Sequence, residues 1–544
     1  MKFAVNVVVA FTSFGSITAG AFATDLLVPS QYSSMQGAIN AAVDGDTVIV
    51  APGTYNETMT ISGKAITIRS SAGASTTKID RANAGGDVFT INSAPSAGVT
   101  IQGFTILRCQ ANAFVGNGAS NVTLNNIRVL TGRRASYVRE GSHFTLSDFQ
   151  IAGMNGIDGN GVYVESAGSS VNATGSNFGA CSNVAVYLSP GTSGTLTNCQ
   201  FMNNSSTSVY GGSGTIVTIS GSSFYTCTGG NGGAIGVDSS TLSVSGSTFA
   251  NCTGSTGGAV YGANSTISIS NCGFTTVKST GIGGVVYLNA GTLTMTACNA
   301  SDFRAEVAGG VIYTDSATVT VDGLVAENST TDLDVNSVGG VIRSESGQLT
   351  MRNSMFANIS VTGSDNGNEN QNYPRIWSGA IIGVGNSSAN LVVESTTFQN
   401  CNASLNWNIV PAGSPTPSLF GHLIGVNGNR VATFVNVIST SGSSSGTGRR
   451  CITNSCSDTY YVGLERFGSI ALAPNVIAYF TNCTFDGQAS SYGALYSASN
   501  QLVNIEDSNF ANCPSGGIRD AGSNHTLNID GCRFQNCTGS GGIL

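Results

Sequence analysis

A Gly-Gly-apolar-apolar motif returns along the chain at near-constant spacing, and no other feature restricts the fold as strongly. It reads Gly232-Gly233-Ala234-Ile235, Gly257-Gly258-Ala259-Val260, Gly283-Gly284-Val285-Val286 and Gly309-Gly310-Val311-Ile312. Variants continue at Gly339-Gly340-Val341-Ile342, Gly379-Ala380-Ile381, Gly493-Ala494-Leu495, Gly516-Gly517-Ile518 and Gly541-Gly542-Ile543. Gly233, Gly258, Gly284 and Gly310 are 25 or 26 residues apart. Between these motifs lies a second, an aromatic residue followed by Asn or Cys: Phe201-Met202-Asn203-Asn204, Phe224-Tyr225-Thr226-Cys227, Phe249-Ala250-Asn251-Cys252, Phe398-Gln399-Asn400-Cys401, Phe510-Ala511-Asn512-Cys513 and Phe534-Gln535-Asn536-Cys537. A short alternating run, such as Leu242-Ser243-Val244-Ser245 or Ile267-Ser268-Ile269-Ser270, precedes most of these phenylalanines. Period-two alternation marks strands with one buried face. No helical pattern separates them, which excludes doubly wound folds.

Strands this short cannot bury an apolar face alone. Stacking equivalent strands in parallel, ~4.8 Å apart, gives every turn of chain a shared core. Glycine belongs at the corners, where tight bends need positive φ. Phenylalanines should stack inside, and corner asparagines should form ladders between turns. The repeat length suits three faces, and about 20 coils would make a rod of roughly 90 Å. The expected fold is therefore all-β, a single-stranded right-handed parallel β-helix. A solenoid grows by adding coils, so the 544 residues need not divide into compact domains.

Composition supports export. Only 9% of residues are charged and 40% are apolar, which is enough for a large core and argues against disorder. The net charge is −8, and lysine occurs only at Lys2, Lys64, Lys78 and Lys278, so nucleic acid is not an expected partner. Residues 1–23 read as a signal peptide: Lys2, the apolar run Phe3 to Phe11, and the small-x-small site Ala21-Phe22-Ala23. The mature chain should start near Thr24, and no later segment is apolar for the ~20 residues a membrane span needs. Residues 24–60 form the cap and first coil, with Tyr32 to Val43 as a short amphipathic helix burying Met35, Ile39 and Val43. Residues 61–544 form the β-helix, with stacked loop insertions at about 325–463.

From Tyr32 to Ser71, through Asp44-Gly45-Asp46, Pro52-Gly53-Thr54-Tyr55 and Ala65-Ile66-Thr67-Ile68, the chain resembles the opening of pectin-lyase-like right-handed β-helix proteins. From about Phe178 onward its repeats are similar to those of chlamydial polymorphic outer membrane proteins. The first resemblance implies the fold and the second the repeat type. The C-terminal membrane barrel that the second family implies has no counterpart here. The chain stops in mid-coil at Gly541-Gly542-Ile543-Leu544, as expected of a truncated product.

Neither resemblance supplies catalytic residues. The Asp-Gly pairs at Asp44, Asp158, Asp322, Asp486 and Asp530 read as turns. His143, His422 and His525 lack metal-ligand spacing, and no cofactor or metal is expected. Fourteen cysteines fit an oxidising compartment. Cys227 and Cys252, three residues after stacked phenylalanines, should remain thiols, because parallel side chains on one ladder would strain an S–S bond. A disulfide is better placed at Cys451–Cys456.

Two surface features stand out. Tyr163, Tyr187, Tyr210, Tyr261, Tyr287 and Tyr313 recur at repeat spacing, with Gly236 in the gap and Arg343 following; alternation puts them outside, as a platform for sugar rings or a ladder that stiffens the sheet. The insertions lengthen the interval from aromatic to glycine, counted from Leu324 to Gly340, Phe356 to Gly379, Phe398 to Gly421 and Phe434 to Gly463. They carry Tyr373, Arg375, Trp377, Trp407, Arg449, Arg450, Tyr460 and Tyr461. All should leave one corner, with Trp377 and Trp407 one coil apart, and aromatic-plus-Arg enrichment is what contact surfaces show. The leading expectation is a secreted or cell-surface structural and adhesive protein whose partner is extracellular polysaccharide or a surface glycan or protein. A polysaccharide lyase or glycoside hydrolase, or a non-catalytic carbohydrate-binding protein, is the alternative.

Overall fold

The computed structural model describes residues 23–544 except 119, 156–157, 334–339, 365–375, 379–380, 386–389, 411–417, 421–422, 427–429, 442, 452–458, 464, 468, 490–492, 498, 521–522 and 540–544. Three parallel ladders run its length, and the chain visits them in strict rotation. The alternating runs make the entry face, where Leu242 lies beside Val217 and Ile267. The second face carries the phenylalanines, where Phe249 lies between Phe224 and Phe274. The third carries the tyrosines, where Tyr287 lies between Tyr261 and Tyr313. The result is a right-handed parallel β-helix of about 17 turns with very little helix. The turn count falls below the expected 20 because insertions stretch some coils, to 42 residues from Asn358 to Asn400 and 46 from Asn436 to Asn482.

The core is a set of columns, each built from one position of the repeat. Phe201, Phe224, Phe249 and Phe274 stack with centroids 4.6, 4.8 and 4.9 Å apart, close to the rung spacing. Each is essentially excluded from solvent. Corner asparagines bond from coil to coil as expected: Asn358 Nδ2 donates to Asn328 Oδ1 (3.2 Å) and Asn400 Nδ2 to Asn358 Oδ1 (3.0 Å).

The paired glycines do two different jobs. Gly257 sits at φ +68, in the left-handed region that L side chains avoid. Gly258 is needed for space, since a Cβ there would lie 2.1 Å from the Gly284 carbonyl oxygen and 2.4 Å from that of Lys278. The first glycine turns the chain, and the second lets neighbouring coils touch backbone to backbone.

The N-terminal lid is shorter than expected. A strand at Asp25–Val28 precedes it and pairs with Thr47–Val50. The helix spans Met35–Ala41, with Ser34 Oγ accepting from Gly37 N at its start. Met35, Ala38 and Ile39 are buried over the first coil. Val43 is 52% exposed instead of buried, because the helix ends two residues before it. Lys64 Nζ donates to the carbonyls of Ile39, Asn40 and Ala42 (2.8, 2.9 and 2.7 Å), placing a cation at the helix C-terminus. Asp46 accepts from the Val43 and Thr24 amides (both 2.8 Å), and those bonds hold its carboxyl below the usual range.

The described cysteines other than Cys451 are thiols, ten of them buried. Cys227 and Cys252 lie one coil apart, and their thiols donate to the carbonyls of Phe201 (3.6 Å) and Phe224 (3.7 Å). Burial pushes the Cys181 and Cys401 thiols up to about 12, which suppresses the reactive thiolate.

Two outcomes check this packing. Phe249→Asp places an unpaired charge between Phe224 and Phe274 and should destabilise the rod by several kcal/mol, seen as a large drop in melting temperature; wild-type-like melting would contradict it. Cys227 and Cys252 should resist thiol reagents in the folded chain and react after denaturation, with no bridged peptide on non-reducing mapping.

Candidate functional site

The insertions all leave the corner between the phenylalanine and tyrosine faces, and they pair with one another. Their outgoing limbs form a parallel ladder of Val325–Leu333, Met355–Ser364, Asn402–Val410 and Ser443–Cys451. Their returning limbs form a second ladder of Ile376–Ser378, Ser418–Phe420 and Glu465–Phe467. Ser443–Cys451 also folds back on Thr459–Gly463, the one antiparallel pairing among the described residues. The insertions therefore extend the solenoid sideways as a secondary platform.

This register corrects three expectations. Phe434 belongs to the entry face, beside Phe480 (4.6 Å between centroids), and Ser439 takes the phenylalanine position between Phe398 and Phe485. Ala326, not Leu324, takes that position in its own coil. The last insertion closes at Ile470, opposite Ile424, whereas Gly463 lies in the hairpin opposite Thr447. Phe434 lies one strand before the true column position, Leu324 two residues before it, and Gly463 in the hairpin before the last insertion closes.

Trp377 and Trp407 stand on different limbs of the platform. Trp377 pairs with Leu419 on the returning ladder, and Trp407 with Gly448 on the outgoing one. The one-coil spacing expected of them does not arise, because an insertion leaves and returns by separate strands. Arg449 and Arg450 lie opposite Tyr461 and Tyr460 across the hairpin, and next to Ile409 and Val410 of the preceding coil. Tyr373, Arg375 and Cys456 lie outside the described residues; Cys451 pairs with Thr459 at the hairpin tip.

The tyrosine column forms as expected and is longer by one ring. Tyr137 joins it edge-on, 5.7 Å from Tyr163. Tyr163 and Tyr187 stack 4.8 Å apart at 1° between planes, and Tyr187 and Tyr210 at 5.2 Å and 28°. Gly236 fills the gap before Tyr261, which continues to Tyr287 and Tyr313 at 5.4 and 5.7 Å. The column ends on Arg343, almost wholly buried, whose Nε and Nη2 donate to the Glu345 carboxylate (2.8 and 2.7 Å); Tyr313 Oη donates to the same group (3.2 Å). Burial raises the pKa values of Tyr187, Tyr210, Tyr261, Tyr287 and Tyr313, assisted by neighbouring rings and carboxylates.

His143 Nδ1 lies 2.8 Å from Ser170 Oγ, His525 contacts Asp520, and His422 lies outside the described residues. Among the described residues no three His, Cys, Asp or Glu side chains gather as a metal site, and no helix is long and apolar enough to cross a membrane.

The winding defines the chain as a right-handed parallel β-helix. The family model described as "Right handed beta helix region" matches residues 89–249 and 160–324. Among solved structures the chain is similar to the PL6 family alginate lyase AlyGC, at 9% identity over 94% of this chain and 100% of that one, with a TM-score of 0.26. It is also similar to the catalytic unit of a thermostable GH87 α-1,3-glucanase from Streptomyces thermodiastaticus strain HF3-3, at 15% identity over 61% and 64% of the two chains, with a TM-score of 0.27. A mannuronic acid specific polysaccharide family 6 lyase from human gut microbiota matches at 10% identity over 86% and 87%, with a TM-score of 0.20. No residue role is carried across from these likenesses. No curated protein matches the sequence.

The raised tyrosine values set a pH dependence. A phenol whose pKa is higher in the folded chain favours folding below its unfolded value of about 10, and that stability is lost as pH rises through the folded value. Melting temperature should therefore fall above about pH 10, with phenolate absorbance appearing later than in the denatured chain. Coincident titration of folded and denatured chains would contradict the buried ladder.

Proposed function

We propose that the protein is a secreted or cell-surface rod with a structural and adhesive role, which presents its insertion platform to an extracellular polysaccharide or a surface glycan or protein. The observation that carries this reading is the mutual pairing of the insertions. Long loops that only decorated a solenoid would have no reason to register with one another over consecutive coils. The platform gathers Trp377, Trp407, Arg449, Arg450, Tyr460 and Tyr461 on strands at one corner, and aromatic and Arg side chains dominate contact energies. Lys2, the Phe3 to Phe11 run and Ala21-Phe22-Ala23 support export with cleavage after residue 23. A Cys451–Cys456 bridge would close the hairpin tip beside Arg450 and Tyr460.

The stacked, half-buried tyrosines favour a second reading, a non-catalytic carbohydrate-binding face. A polysaccharide lyase or glycoside hydrolase is the remaining reading; a hydrolase would need two or three close carboxylates, one of them held protonated near neutrality.

Replacing both tryptophans (Trp377→Ala with Trp407→Ala) should leave the melting temperature nearly unchanged and abolish adhesion to glycan-coated or cell surfaces, because the platform lies outside the stacked core. Undiminished adhesion would move the binding role to the tyrosine face. Cleavage of a polysaccharide by the purified chain would replace the adhesive reading altogether.

A further inference from the structure

In the N-terminal coils, well before the platform, the same corner of the rod holds a cavity of about 370 Å³. Its floor is Cys109 and Gly132, which pair across adjacent coils. A Cβ at Gly132 would meet Cys109 Sγ at 2.6 Å and its carbonyl oxygen at 2.9 Å, so glycine lets the two coils pack closely there. Two guanidinium groups, Arg108 and Arg133, stand in its wall together with the neutral donors and acceptors of Asn83, Gln110, Thr131 and Asn155. Among the described residues no carboxylate lines it.

The arginines are held from behind. Arg108 pairs with Asp80, where Nε donates to Oδ1 at 2.9 Å, and that bond pulls the Asp80 carboxyl below the usual range. Arg133 Nε and Arg134 Nη2 both donate to Asp158 Oδ2, at 2.6 and 2.8 Å. Asp158, expected only to shape a turn, is thus a brace for two arginines. Three guanidinium groups share two carboxylates, while the Asp87 charge reaches Cys109 on the floor and Glu165 accepts from Tyr137 Oη. The Arg108 and Arg133 guanidinium groups each direct Nε and Nη2 at their aspartate and keep their remaining N–H donors, and the two side chains are 52% and 40% exposed.

Arg108 sits at φ +48, in the column of left-handed corner residues that also holds Thr131, Ala180, Asn203, Thr226 and Asn251.

Aromatic rings adjoin the cluster. The Arg134 guanidinium lies 4.9 Å from the Tyr137 ring centroid and 4.6 Å from that of Tyr163, where the tyrosine column begins. Forked donors recognise the planar or tetrahedral oxygens of a carboxylate or sulfate, and flat rings take the apolar face of a sugar. We infer that this cavity binds an acidic sugar, its carboxylate or sulfate held by Arg108 and Arg133 and the adjoining sugar units running toward Tyr137 and Tyr163. This site is separate from the insertion platform and does not depend on the adhesive reading.

Isothermal titration of the full chain with polygalacturonate, dextran sulfate and uncharged dextran tests it. At least one acidic polymer should bind, more weakly as salt rises, and dextran should not; the stronger of the two identifies carboxylate or sulfate as the group read. Arg108→Gln with Arg133→Gln should weaken binding about tenfold or more, and Arg108→Lys with Arg133→Lys should fall between, since lysine keeps the charge and loses the fork. Asn155→Trp, at an exposed rim position, should block the cavity with both arginines in place, and it decides the matter if the glutamine pair alters folding. Failure of both acidic polymers to bind, equal binding of dextran, or wild-type binding by Asn155→Trp and the folded glutamine pair would overturn the inference.

Discussion

Each coil is held by backbone hydrogen bonds that run along the rod, and these work only while every coil keeps the register of its neighbours. A strand of three to five residues has too little apolar surface to fold alone. Its stability comes from the strand above and the strand below, so the core is a property of the stack. This explains why one inward position is repeated so faithfully, as in the near-parallel rings from Phe201 to Phe274. A slip of one residue would turn an entire column to solvent. The second glycine of each pair serves the same constraint from outside, because the carbonyl oxygens of the next coil fill the space a Cβ would need.

The corners are where the fold gains freedom. A coil can lengthen between the phenylalanine and tyrosine faces without disturbing either ladder, since the strands on both sides still find their partners. The insertions use this corner, and the cavity beneath Arg108 and Arg133 uses it again in shorter coils. The faces supply rigidity, and both proposed binding sites lie along one edge of the prism.

The sequence showed the faces clearly because their residues repeat. The phenylalanine column, the tyrosine column and the asparagine ladders could be read from spacing alone. The lid was legible except at Val43, where the pattern ran past the end of the helix. Register is hidden where the motif loses its marker residues: Ser439 and Ala326 carry no aromatic signal, and Phe434 and Leu324 lie close enough in spacing to imitate column members. The arginine cluster was hidden for a different reason. Asp80, Arg108, Arg133 and Asp158 are separated by 25 to 28 residues and meet only through coil-to-coil stacking. Nothing in the N-terminal coils, which lack the Gly-Gly motif, marks the corner they share.

The direction of the hydrogen bonds also sets how such a rod yields to force. Because they lie along the axis, a pull between the two ends loads them a few at a time at the outermost coil. The rod should peel one coil after another at modest force, and each coil of about 25 residues would release roughly 80 Å of chain. The paired insertions interrupt that sequence, since a coil joined to its neighbour by additional limb strands must break more bonds before it lets go. Under tension the rod would lengthen from its plain coils first, and the platform would be the last part to lose its shape.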